Sequence, residues 1–95
     1  MKSIMQVNKE CYKCQTTIGL EEHHCLFGNA RKKAEQDGLK VWLCYEHHRG
    51  TNGVHGKNGM ELAEQLKKEA ELKWLEYNNK DIDDFIKRYG KNYLP

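Results

Sequence analysis

The chain has 95 residues, of which 32% are charged and 38% hydrophobic, and its formal net charge is +2. This length suits one small domain of marginal stability, to which a bound structural metal would add folding free energy. No apolar run is long enough for a membrane span and no signal-peptide core is visible, so we expect a cytoplasmic protein. Residues 1–59 hold nine Lys or Arg against six Asp or Glu, a balance of +3 that is compatible with a nucleic-acid partner.

Turn residues and apolar spacing predict a small α+β domain. In chain order we expect a knuckle-like turn at 11–14, a short strand or extended segment at 16–21, a turn at 27–29, a helix at 30–36, a strand at 39–43, a short helix at 45–49, a glycine-rich loop at 50–59, and helices at 60–77 and 82–88. Trp74 is predicted to anchor the core. Asp81 is the predicted N-cap of the last helix, with Ile82, Phe85 and Ile86 facing inward.

Two half-sites of cysteine and histidine predict a structural zinc ion. Cys11 and Cys14 have the C-x2-C spacing that lets two thiolates bind one ion from a tight turn, and Cys44 and His47 repeat that spacing. A disulfide framework is disfavoured because no export signal is visible. Cys25 either replaces His47 as the fourth ligand or is a lone buried thiol, which is the interpretation we favour.

Four histidines remain outside this zinc site, namely His23, His24, His48 and His55. Adjacent residues on a strand point to opposite faces, so His23 and His24 can serve one site only at a strand end. One imidazole can then ligate a second metal while its unligated neighbour acts as a general base. His48 directly follows a predicted zinc ligand, and the glycines around His55 allow the loop to bring in a third ligand.

The order Cys-x2-Cys, His-His, Leu-Cys-x2-His-His and then a loop histidine resembles the HNH (ββα-metal, or His-Me finger) nucleases. The closest likeness is to the phage-type branch of recombination-enhancement, RecA-dependent nucleases. The resemblance covers about residues 11–75 and is specific in the two paired clusters. It implies one HNH nuclease-like domain over residues 1–95, with a zinc-stapled ββα-metal core at about 11–59 and C-terminal helices at about 60–88. The structural Zn²⁺ falls on Cys11, Cys14, Cys44 and His47.

The resemblance also implies a catalytic site. His23, His48 and His55 would hold a catalytic divalent ion (Mg²⁺, Mn²⁺, Ni²⁺ or Zn²⁺), although Asn52 is nearer to the ligand spacing often seen, and His24 would be the general base. The implied activity is hydrolysis of DNA phosphodiester bonds in phage or bacterial recombination or DNA processing, in the cytoplasm of a bacterial host cell. The implied partners are DNA and a recombinase or another protein. Candidate contacts to the DNA backbone are Arg31, Lys32, Lys33 and Arg49.

One residue of the family pattern has no obvious match. The middle asparagine, which braces the loop and orients the base, would fall near Asp37-Gly38-Leu39-Lys40, and Asn29 is a substitute from earlier in the chain. Two other functions fit the residues. One is a non-catalytic zinc-binding module that recognises nucleic acid, and the other is a protein-interaction adaptor that uses the helices of 60–88.

Overall fold

A two-stranded antiparallel sheet carries the paired histidines. In the computed structural model, which describes residues 1–95, β1 (Leu20–His24) pairs with β2 (Lys40–Cys44), so that Leu20 lies opposite Cys44 and His24 opposite Lys40. His23 and His24 therefore point to opposite faces of the sheet. β1 ends at His24, so the histidine pair lies at a strand end.

The segment before β1 does not belong to the sheet, so a strand beginning at Thr16 is wrong. The backbone N–H of Cys11 donates to the Thr16 carbonyl at 2.8 Å, which ties this residue to the cysteine knuckle. Gly19 has a φ of 65°, in the left-handed region that interrupts a strand. Ile18 is exposed and has no sheet to pack against.

Two short helices flank β2. A turn of 3-10 helix at Gly28–Ala30 leads into α1 (Arg31–Asp37), which ends at Gly38 with a left-handed φ of 74°. α2 (Tyr45–His48) is a single turn that begins directly after β2. A strand followed at once by a helical turn therefore presents Cys44, His47 and His48 in sequence, as predicted.

Two longer helices complete the chain. α3 (Met60–Asn78) ends at Asn79 in the left-handed conformation, and α4 (Ile82–Tyr89) follows. The Asp81 carboxylate accepts from the Asp84 backbone N–H and the Asp84 carboxylate accepts from the Asp81 backbone N–H, which forms a capping box. The predicted N-cap is thereby confirmed. None of these helices is both long enough and apolar enough to traverse a bilayer.

The core lies between the sheet, α1 and the two C-terminal helices. Trp74 is buried, as predicted, and its ring meets that of Phe85 edge-on at a centroid distance of 5.4 Å. Phe85 is fully buried, but Ile82 and Ile86 are exposed, so the prediction that all three face inward is wrong for two of them. The physical reason is that the eight-residue α4 packs only one narrow side against the rest of the protein.

Asp37 joins α1 to both C-terminal helices. Its carboxylate accepts hydrogen bonds from the Trp74 indole N–H at 3.0 Å and from the Tyr89 hydroxyl at 2.6 Å. The Arg88 guanidinium donates to the other carboxylate oxygen at 2.8 Å. Charge-assisted bonds of this kind add geometric specificity to the packing of these helices.

Candidate functional site

The four predicted zinc ligands lie together. The donor atoms of Cys11, Cys14, Cys44 and His47 are all within 4.8 Å of one another. His47 Nδ1 lies 3.2 Å from Cys44 Sγ and 3.6 Å from Cys11 Sγ, while Cys14 Sγ lies 3.8 Å from Cys44 Sγ. Three sulfurs and one imidazole nitrogen at this spacing can hold a metal ion and are the donor set of a Cys₃His zinc site.

The backbone around the knuckle favours the thiolate form of Cys11. Burial raises the pKa of this thiol, but hydrogen bonds from the backbone N–H groups of Cys44, Cys14 and Lys13 outweigh burial and bring the pKa to about 6. The thiolate is the form that binds a metal.

Cys25 lies apart from these donors. It is fully buried, its Sγ lies 3.6 Å from the Met5 sulfur, and burial raises its pKa. A thiol in such apolar surroundings is inert. The structure thus places Cys25 in the core, and the fourth position beside the three sulfurs belongs to His47.

A second group consists of three imidazoles. His23 from β1, His48 from α2 and His55 from the glycine-rich loop have ring nitrogens within 4.8 Å of one another. Their ring centroids are 4.8 to 5.4 Å apart. Three facing nitrogens from three separate elements can hold a divalent ion and leave coordination positions open.

The loop that brings in His55 is folded tightly on itself. The His55 backbone N–H donates to the His48 carbonyl at 3.0 Å, so the loop closes directly over α2. A Cβ atom at Gly56 would overlap the Gly50 carbonyl oxygen, and one at Gly59 would overlap the Gly53 carbonyl oxygen. Only glycine permits such close backbone approach, which explains the four glycines in this segment.

His23 supplies the strongest sign that this group fits a metal. Its Nε2 is buried and has no hydrogen-bond partner in the protein. Burial, followed by the neighbouring His48, His55 and His24, lowers the pKa of His23 to about 3, so the ring is neutral at physiological pH. A neutral imidazole with an unshared, buried lone pair is the form that ligates a metal, and an ion there would satisfy the nitrogen.

Glu21 orients one of these imidazoles, although the sequence did not single it out. Its Oε1 accepts from His48 Nδ1 at 3.0 Å and from Arg49 Nε at 2.9 Å. The hydrogen bond from His48, followed by that from Arg49, lowers the pKa of Glu21. With Nδ1 occupied, His48 presents Nε2, as in a carboxylate–histidine–metal arrangement. The available signal was its position two residues before His23, on the same face of the strand.

His24 does not belong to the three-imidazole group and has a carboxylate partner of its own. It is nearly buried, and its Nε2 lies 2.8 Å from Glu35 Oε1. Hydrogen bonds from His24, then from Lys40 and the chain N-terminus, lower the pKa of Glu35 to about 2. The carboxylate accepts the Nε2 proton, which leaves Nδ1 as the nitrogen with a free lone pair.

Glu22, His24 and Glu35 also bring their donor atoms within 4.8 Å of one another. However, Lys40 Nζ lies 2.9 and 3.0 Å from the two Glu35 oxygens and 3.5 Å from Glu22. An ammonium group among these carboxylates occupies the place that a cation would take. We therefore assign no metal to this third group.

The other candidate residues take different positions. No hydrogen bond joins Asn29 to His24, and the carboxylate that contacts His24 is that of Glu35. Asn52 is exposed and lies outside the three-imidazole group. Arg49 pairs with Glu21. The basic residues exposed on α1 are Arg31, Lys32 and Lys33.

Two groups that can hold a metal ion are thus adjacent in the chain, because His47 belongs to one and His48 to the other. The first is the cysteine group and the second is the imidazole group. Comparisons of the chain with protein-family models, with curated proteins and with solved structures gave no match.

Proposed function

We propose that this protein is a divalent-metal-dependent endonuclease of the HNH (ββα-metal) type that hydrolyses DNA phosphodiester bonds. Its setting would be phage or bacterial recombination or DNA processing. One observation carries the proposal: three imidazoles, one with a buried and unpartnered nitrogen, converge on one face of the sheet, and His24, next to His23 in sequence but on the opposite face, is held by a carboxylate. The resemblance of the paired histidine motifs to HNH nucleases supports it.

The two groups would divide structural and catalytic work. Zn²⁺ on Cys11, Cys14, Cys44 and His47 would staple the N-terminal knuckle to β2 and α2. The second divalent ion, held by His23, His48 and His55, would supply Lewis-acid stabilisation of the phosphate and the leaving oxygen. Because imidazole suits Ni²⁺ and Zn²⁺ while Mg²⁺ prefers oxygen ligands, we expect Mg²⁺ to be the weakest activator.

His24 would be the general base. Because the Nε2–H group of His24 donates a hydrogen bond to Glu35, the lone pair of Nδ1 is free to accept a proton from the attacking water. The new bond forms between the water oxygen and phosphorus while the bond from phosphorus to the 3′ oxygen breaks. The Glu35 carboxylate would orient the ring, which is the role that the resemblance gives to the missing asparagine, and would stabilise the imidazolium once the proton is taken up.

The test is cleavage of supercoiled plasmid by zinc-loaded protein in Mg²⁺, Mn²⁺, Ni²⁺ or added Zn²⁺. We expect the wild type to cut. The His24→Ala variant should keep its fold and both metal ions but lose about 10²- to 10⁴-fold in rate, the usual contribution of a general base. Lys13→Ala, a change of an exposed side chain within the knuckle, serves as the control. A zinc-loaded wild type that cuts no DNA in any of these metals contradicts the proposal.

Metal content separates the nuclease from the alternatives. The nuclease predicts two ions per chain, whereas a non-catalytic zinc module predicts one ion and salt-dependent DNA binding without cleavage. An adaptor that acts through α3 and α4 predicts no salt-dependent DNA binding at all. Elemental analysis and a salt titration of binding therefore distinguish the three.

A further inference from the structure

A small basic cavity lies beside the three-imidazole group. It has a volume of about 280 Å³ and is lined by Phe27, Asn29, Ala30, Lys33, Tyr89, Lys91 and Tyr93. Three of these side chains are aromatic, two are cationic and none is acidic. The volume is close to the lower end of small-molecule sites, roughly 300–1,000 Å³.

Phe27 connects this cavity to the candidate metal ligands. Its ring centroid lies 5.9 Å from that of His55 and 6.0 Å from that of His23. Phe27 is 40% exposed and does not belong to the buried core. A ligand on this ring would therefore lie directly beside the catalytic centre.

Lysine side chains surround the two aromatic walls. Lys67 Nζ lies 4.7 Å from the Phe27 ring centroid and 5.8 Å from that of Tyr93, and Lys91 Nζ lies 5.2 Å from the Tyr93 centroid. Lys67 is paired with Glu64 at 3.2 Å, and Lys33 donates to the Arg88 carbonyl. Aromatic faces interleaved with ammonium groups match a ligand that combines a flat base with phosphates.

The far wall of the cavity is fixed to the body of the protein. The Tyr93 backbone N–H donates to Glu71 Oε1 at 2.7 Å, and Glu71 is completely buried in α3. The Tyr93 ring also packs edge-on against Phe85, at a centroid distance of 6.3 Å. A platform held in this way needs little ordering when a ligand arrives.

We propose that this cavity binds one unpaired nucleotide of the DNA strand that is cut, next to the scissile phosphate. The base would stack on the Phe27 ring beside Tyr93. The Lys67 ammonium, which lies over both rings in the free protein, would move to a flanking phosphate and pair with it together with Lys33 and Lys91. In a duplex both faces of each base are covered by its neighbours, so the cavity selects single-stranded or locally unpaired DNA. The identity of the bound strand as substrate rests on the proposed nuclease function.

Binding is measured by fluorescence anisotropy in a His24→Ala background, in which cleavage does not interfere. The probes are a labelled 12-nucleotide thymidine strand and a 12-base-pair duplex, with zinc-loaded protein at fixed salt. Adding Phe27→Ala should weaken binding of the single strand at least about fivefold and leave duplex binding unchanged. Phe27→Leu, which keeps an apolar side chain in place, should also weaken it, and Tyr77→Ala, an exposed aromatic outside the cavity, should not.

Equal affinity of Phe27→Ala and its parent for the single strand overturns the cavity proposal, and so does an equal loss of duplex binding. Each Phe27 variant must have the same circular dichroism spectrum and metal content as its parent. If Phe27→Ala fails this control because it unfolds, the binding measured with Phe27→Leu is used in its place. Plasmid cleavage by the wild type reports separately on the nuclease. If Phe27→Ala weakens single-strand binding but the wild type cleaves no plasmid, the cavity is a binding site and the proposed nuclease function is rejected. Cleavage together with unchanged Phe27→Ala binding rejects the cavity alone.

Discussion

His24 and Glu35 form a hydrogen bond of 2.8 Å between the imidazole Nε2 and the carboxylate Oε1. His24 ends β1 and Glu35 lies in α1, while Lys40 at the start of β2 donates to both oxygens of the same carboxylate. The proposed base is therefore fixed by contacts from three elements. Its orientation depends on Glu35 and not on an asparagine.

The Glu35→Ala variant tests this positioning role. Without the carboxylate, the ring of His24 loses its orienting partner, and we expect the rate of plasmid cleavage to fall about 10- to 100-fold, as when other carboxylates that orient a histidine are removed. Metal content should stay at two ions per chain.

Glu22→Gln is the matched control for Glu35. Glu22 also contacts Lys40, at 3.5 Å, but it makes no hydrogen bond to His24. If Glu22→Gln slows cleavage as much as Glu35→Ala does, the effect comes from the Lys40 environment and the positioning role is wrong.

Glu21→Ala should weaken the imidazole metal site and spare the cysteine site. Glu21 holds His48 Nδ1, and loss of such an outer partner typically lowers metal affinity about 10- to 100-fold. Titration with a competing chelator should therefore remove one ion early from the variant while the other ion remains. Glu46→Ala, an exposed acidic residue on the same turn of helix, is the control. Simultaneous loss of both ions from Glu21→Ala would contradict the separation of the two sites.

Much of the fold follows from local sequence signals. Gly38 and Asn79 end helices in the left-handed conformation, and Asp81 begins one through a capping box. The start of β1 was not predictable from alternation alone, because the bond between Cys11 and Thr16 removes the preceding residues from the sheet. Likewise, the apolar spacing of α4 predicted a helix but could not show that Ile82 and Ile86 remain exposed, because their burial depends on tertiary packing.

The residues of the candidate site that can bind a metal were predictable from the sequence, but the carboxylates that hydrogen-bond to its histidines were not. Spacing alone pointed to Cys11-x2-Cys14 and Cys44-x2-His47, because zinc coordination favours that spacing. The adjacent pair His23-His24 was singled out through the resemblance to HNH nucleases. Glu21 and Glu35 are ordinary acidic residues in the sequence. Their roles arise from strand register and from the packing of α1 against the sheet, which are tertiary facts.

Cys14→Ser tests the structural role of the cysteine group. The proposed zinc joins the N-terminal knuckle to β2 and α2, and structural zinc contributes apparent free energies of about 10–16 kcal/mol in small zinc-finger peptides. We expect this variant to lose its tightly bound zinc and to unfold at a much lower temperature. A strong chelator should unfold the wild type in the same way, as followed by circular dichroism.

Cys25→Ala is the control for the cysteine group. Cys25 is fully buried but has its sulfur beside Met5, outside the four donors. This variant should therefore retain the zinc and lose only the stability that a small core cavity costs, about 1 kcal/mol. Loss of zinc from Cys25→Ala with retention by a His47→Ala variant would instead make Cys25 the fourth ligand.

Glu71 introduces a pH dependence into the stability of the fold. Burial raises the pKa of this carboxyl, against a lowering contribution from the Tyr93 backbone N–H. Glu71 Oε2 is buried and has no hydrogen-bond partner. The protonated carboxyl carries no charge into the core, so burying it costs no folding free energy from charge desolvation below the ordinary carboxyl pKa of about 4.3. The penalty grows as the pH rises above that value and levels off above the raised pKa of the folded state.

Glu71→Gln should remove this dependence, because the amide does not ionise and its oxygen can still accept from the Tyr93 N–H. Relative to the wild type, the free energy of unfolding of the variant should therefore rise between pH 4 and pH 8. Urea unfolding at a series of pH values measures this difference directly. A Glu71→Gln variant that loses stability relative to the wild type as the pH rises would mean that the ionised carboxylate stabilises the fold, which is the opposite of the expected sign.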